Sequence, residues 1–178
     1  MISIVLFLNG CASTTGPIDN ADFTETHSLS DYSGIYRNRG EGAPSSLPVY
    51  LSTVIWASAD NMDHGAVDMI EVRAIDERTL VVKALAKNAV IREDSFVEGK
   101  DFSLSSGRIK LKRQVHLSLA YPSGNPFIGP AYEEEELGLD EKGQGKYRQK
   151  AGFAGTAFLI IPVVGSGTDD TRFVKISE

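Results

Sequence analysis

Apolar and polar residues alternate most clearly in the middle of the chain, with a period of two. Ile70, Val72 and Ala74 alternate with Glu71 and Arg73, and Leu80, Val82, Ala84 and Ala86 line one face with Lys83 and Lys87 on the other. Ile109, Leu111, Val115, Leu117, Leu119 and Tyr121 share one parity, while Arg108, Lys110, Lys112, Gln114, His116 and Ser118 share the other. This is the pattern of half-buried strands, dry on one side and wet on the other. Turn residues punctuate it at Asp76–Thr79, Ser105–Gly107, Pro122–Pro126 and Glu141–Gly145. Tyr32–Tyr36 predicts a first strand of the body, closed by a turn-rich loop at Arg37–Gly42. Val90–Glu93 predicts a short strand, Phe102 and Leu104 a lead into the Ser105–Gly107 hairpin, and Glu133–Asp140 a further strand. Lys146–Val164 reads as one long strand, apolar on both parities from Phe153 onward, with Gly152 and Gly155 as bend or bulge positions. Gly165–Asp170 reads as a loop and Arg172–Ile176 as a last short strand.

One segment departs from this period. Leu47, Tyr50, Leu51, Val54 and Ile55 recur at spacings of three and four, which predicts a helix over Ser45–Ala57. Ser45 and Ser46 can cap it and Pro48 suits its first turn. The β-branched Val49, Val54 and Ile55 keep a strand over Val49–Trp56 open. Short strands, frequent turns and one short helix near 45–57 predict a mainly β fold, an antiparallel barrel or sandwich.

The N-terminal pattern is different again. An uncharged apolar run, Ile2–Leu8, leads to Gly10 and to Cys11, the single cysteine of the 178-residue chain. The run is far shorter than the ~20 apolar residues that span a bilayer. A polar stretch rich in Ser, Thr, Gly, Asp and Asn follows to residue 31 and predicts a flexible spacer. Leu8-Asn9-Gly10-Cys11 resembles the lipobox of bacterial lipoproteins. The resemblance implies a signal peptide over 1–10, lipid attachment at Cys11, a linker over 11–31 and a single β-rich domain over 32–178. Ala12, rather than Asp, after the cysteine implies the periplasmic face of the outer membrane. A secretory leader also carries a basic start; none precedes Arg37, which implies a translation start upstream of Met1. One acyl chain gives marginal membrane binding, and the modification implied here supplies two or three.

The body carries a second resemblance. Gly34-Ile35-Tyr36 near the start, a short helix and then a meander are similar to lipocalin-like small β-barrel lipoproteins of bacterial envelopes, over Tyr32 to about Ile176. Tyr36 stands where lipocalins usually carry Trp.

A net charge of −6 argues against nucleic-acid binding, which calls for basic patches, and gives no pull toward anionic headgroups. With Cys11 acylated no thiol remains for a disulfide or a metal. Arg113 interrupts the dry parity between Leu111 and Val115. It either points inward toward an anionic ligand or sits on a bulge in water. Asp60, Asp63, His64 and Asp68 mix oxygen and imidazole donors but lack EF-hand spacing, so no metal site is expected. Glu133–Glu136 reads as a solvated loop entering a strand, or as a surface for a basic partner. Gly165-Ser166-Gly167 lacks the Gly-x-Ser-x-Gly spacing and the following helix of a nucleophile elbow. His27, His64 and His116 are remote from it. No catalytic residue and no cofactor is expected. Two functions follow. One is a tethered binding module holding a small apolar or amphipathic molecule, with Leu80, Val82, Leu117 and Leu119 as walls and Arg113 as a polar contact. The other is an accessory lipoprotein with a filled barrel that binds another envelope protein, for which the apolar Phe153–Val164 is a candidate surface.

Overall fold

A computed structural model of the chain describes residues 11–42, 48–57, 61–111, 127–128, 131–157 and 161–177. They form a mainly β molecule of two sheets with one α-helix. The smaller sheet holds β2 (Gly34–Arg37), β3 (Met69–Ala74), β4 (Thr79–Ala86), β5 (Ala89–Val97) and β12 (Lys175–Ser177), in the order β12-β2-β3-β4-β5, all antiparallel. The larger holds β1 (Cys11–Thr15), β6 (Phe102–Ser105), β7 (Arg108–Leu111), β9 (Ala131–Leu139), β10 (Gly145–Ala157) and β11 (Ile161–Phe173), in the order β1-β11-β10-β9-β7-β6. The short β8 (Phe127–Ile128) pairs with Thr156 and Ala157 near the end of β10. β1 joins β11 in parallel; the other pairs are antiparallel.

The period-two pattern becomes the core. Ile70, Leu80, Val82 and Ala84 of one sheet and Phe102, Ile109, Leu139, Tyr147 and Phe173 of the other form a single buried cluster with Leu29, Tyr32, Tyr36 and Trp56. The hairpin turns follow the backbone rule for tight right-twisted pairs. Ser106 and Gly107 both have positive φ between β6 and β7 (50° and 69°), and Lys87 and Asn88 both do between β4 and β5 (51° and 64°). Asp140 builds the next turn, its Oδ1 accepting from the amides of Lys142 and Gln144 at 2.9 Å each.

Four expectations change. The helix α1 is only Leu51–Ile55. Pro48 lies before it, and Ser45 and Ser46 lie outside the described residues. Its start is held instead by a distant residue, Asn38, whose Oδ1 accepts from the Ser52 amide at 2.8 Å. The expected long strand Lys146–Val164 is two antiparallel strands, β10 and β11. Gly165–Asp170 is strand rather than loop, because it lies between β1 and β10, which satisfy its backbone on both sides. Residues 12–31, expected as a spacer, lie along the sheet. Thr24 donates from its amide to Leu139 O at 2.9 Å, Phe23 bridges to Asp140, and Leu29 is buried. Buried partners, invisible in a polar sequence, hold this strap.

Candidate functional site

Among the described residues three places could carry chemistry: a mostly polar surface cleft of about 640 Å³ beside Ser30, Lys142, Gln144 and Lys175, the space between the sheets, and the charged outer face of the larger sheet. Between the sheets lies an apolar cavity of about 90 Å³. Tyr36, Leu80, Val82, Phe102, Ile109 and Phe173 are among its walls. Its polar atoms are already partnered. The Tyr32 hydroxyl donates to Gly107 O at 2.8 Å and pairs with Thr26 Oγ1 at 2.6 Å, and the Tyr36 hydroxyl donates to Tyr32 O at 2.8 Å. Burial pushes both phenols above the usual tyrosine range. Neither hydroxyl is a free acid or base.

On the outer face the even-numbered positions of β9, β10 and β11 interlock by charge. Glu136, 2% exposed, meets Arg108, Lys110 and Lys150 at 3.3 Å each. Glu134 pairs with Lys110, while on the opposite parity Glu133 accepts from Gln149. Asp170, 1% exposed, takes Lys146 at 2.9 Å, Arg148 at 2.7 Å and Asn20 at 2.8 Å. Burial raises the carboxyls of Glu136 and Asp170, but the bonds and charges from these partners outweigh it and hold both below their usual range. Donating to Asp170 raises Arg148 in turn. Phe23 of the strap covers this cluster, its ring 4.9 Å from Arg148, 5.1 Å from Arg108 and 5.4 Å from Lys146. The acidic run is therefore a cross-strand ladder and not a solvated loop: strand alternation sends Glu134 and Glu136 to the cationic face and Glu135 to the Tyr147 hydroxyl at 2.6 Å.

Of the residues expected at a site, Leu80 and Val82 line the cavity. Arg113, Leu117, Leu119 and His116 lie outside the described residues, as does the lipobox before Cys11. Cys11 opens β1, in register with Gly165. The expected loop near His64 is tied up locally. Asp63 Oδ1 accepts from the Gly65 amide, His64 Nδ1 pairs with Ser52 Oγ at 3.0 Å, and Asp68 Oδ2 accepts from the Lys87 amide at 2.7 Å. Among the described residues no group of three or more His, Cys, Asp or Glu could hold a metal ion. Trp56 is buried in the core, donating to Asp94 Oδ2 at 2.8 Å beneath Arg92. Sequence reasoning missed Asn20, Phe23 and Asp170; the one signal was an aromatic residue isolated in a polar stretch. No family model matches the chain, and neither a curated protein nor a solved structure is significantly similar to it.

Proposed function

We propose that this chain is a lipid-tethered envelope protein that works through its surface, as an accessory partner of another envelope protein, with its core filled by its own side chains. The size of the cavity carries this reading. About 90 Å³ lies well below the ~300–1,000 Å³ of pockets that hold a drug-sized molecule, and a fatty acid needs a space of that order. Two sheets sharing one core, with β1, β6, β5 and β12 at their edges among the described residues, favour a sandwich over a closed barrel. Edge strands are templates for pairing with another chain. β5 leaves Val90 and Ile91 each about half exposed (51%). The tether itself rests on the lipobox resemblance at Cys11. No helix among the described residues is long and apolar enough to cross a membrane, which leaves strands undecided.

A largely apolar wall that includes Leu80 and Val82 favours the second reading, a carrier of a small apolar molecule. Two measurements separate these readings. Metabolic labelling with a palmitate analogue is expected to mark the wild-type chain and not Cys11→Ser; equal labelling removes the tether. Native mass spectrometry of the purified, acylated protein is expected to show no further bound small molecule. A stoichiometric non-covalent lipid would replace the accessory reading by the carrier one.

A further inference from the structure

The β10–β11 hairpin changes character along its length. On its outer face the register pairs run Lys146–Arg172, Arg148–Asp170, Lys150–Thr168, Gly152–Ser166 and Ala154–Val164. Charge stops at Lys150 and Asp169. From Ala151 to Thr168 the chain has no Asp, Glu, Lys, Arg or His. The neighbours continue this at the same end. β8 pairs there with Thr156 and Ala157, and β9 begins there with Ala131 opposite Phe153; Phe127, Ile128, Ala131 and Tyr132 carry no charge, and the first charged residue of β9, the exposed Glu133, lies opposite Ala151. β1 completes the row: Cys11 lies beside Gly165, one residue from Val164, and Ala12–Thr15 carry no charge. Val164 is 58% exposed, and its cross-strand partner Ala154 is also exposed. The opposite end of β10, roughly 40 Å away at ~3.3 Å per residue, carries the exposed Glu141 and Lys142.

We infer that the uncharged end of the larger sheet is a membrane-contacting surface, seated in the headgroup region of a neutral bilayer beside the acyl chains of Cys11. This rests on the reading of Cys11 as lipid-modified. Taking a charge out of water is costly, whereas apolar surface gains ~25 cal/mol per Å² on leaving it. A surface without charge at the anchoring end lets the body settle onto the membrane at little cost. Glu133, Lys150 and Asp169 set the depth at which it stops. Strand backbone needs partners in hydrocarbon, so the seat is interfacial. The net charge of −6 directs the contact to neutral headgroups.

The test uses the acylated full chain with Val164→Cys, labelled at that thiol with a polarity-sensitive fluorophore and reconstituted in phosphatidylcholine vesicles with brominated acyl chains. A blue shift and loss of more than half the emission are expected at 164, with no change for Lys142→Cys at the far end. Ala154→Cys provides an independent second position and the same expectation. Labels at 154 and 164 as unquenched as at 142 would overturn the inference. So would unlabelled Val164→Cys oxidising to a disulfide-linked dimer, which would mark the surface as a contact between copies. Intact mass of the same sample separates the two readings. An unmodified Cys11 removes the tether, whereas an acylated Cys11 with an unquenched label removes only the membrane seat.

Discussion

Asn38 joins three parts of the fold. It is fully buried. Its Oδ1 accepts from the Ser52 amide, its Nδ2 donates to His64 O at 2.8 Å and Val67 O at 3.0 Å, and its backbone carbonyl accepts from the Leu51 amide at 2.8 Å. The start of α1 and the turn His64–Ala66 thus close onto the end of β2. Asn38→Ala would strand buried backbone groups at about 1–3 kcal/mol each, so a loss of ~2–4 kcal/mol is expected in urea unfolding. Asn38→Asp keeps the acceptor but sets an oxygen against the two carbonyls and buries a charge, and should cost at least as much. An Asn38→Ala variant unfolding at the wild-type midpoint would show that the side chain holds nothing. Nothing in Arg37-Asn38-Arg39-Gly40 marks this role. The residue reads as a turn former, and its side-chain partners lie 14 to 29 positions along the chain.

At the scale of elements, the strap over the larger sheet depends on one ring. Phe23 lies where Gly138 offers no side chain; a Cβ there would come within 2.7 Å of the ring. Cations surround the ring, and each such contact contributes ~0.5–1 kcal/mol at partly exposed sites. With the lost packing, Phe23→Ala is expected to cost ~2–3 kcal/mol. It should speed amide exchange over residues 20–26 while β3 and β4 stay protected; uniform exchange across the chain would mean that the strap has no local stability of its own. Elements were legible where period two and turn chemistry agreed. β3, β4 and the β6–β7 hairpin follow from alternation bounded by Asp76–Thr79 and Ser105–Gly107. The Lys87-Asn88 turn was hidden because Lys seldom adopts positive φ and Asn alone is a weak sign. β11 was hidden because Gly, Ser, Thr and Asp look like a loop until neighbours on both sides supply its hydrogen bonds. The cavity walls Leu80 and Val82 were legible from parity; the ion cluster on Asp170 needed the strap, whose contacts depend on the folded sheet.

For the whole molecule the buried carboxylates set the response to acid. Asp170 and Glu136 are held below their ordinary values when folded. The unfolded chain therefore takes up protons first as pH falls. Their stabilisation is fully present above the ordinary carboxylate range near ~4, and is lost as pH drops through the depressed folded values. Stability should stay level from about pH 7 to 5 and decline below about pH 4. Asp170→Asn, which leaves Lys146 buried without its counter-charge, should lower the plateau by ~3–5 kcal/mol and make the acid limb shallower. Unfolding midpoints measured across that range would show both. A steeper acid limb for the variant would contradict this assignment. The parallel seam between β1 and β11 also imposes an order of events. Synthesis delivers the N-terminal segment first, yet its strand partner arrives some 150 residues later. Until then Cys11 has no seat in the sheet, so any enzyme that trims or acylates it would meet an open chain. On the proposed reading of Cys11, completing the fold would then draw a lipid-bearing terminus in and shorten its leash.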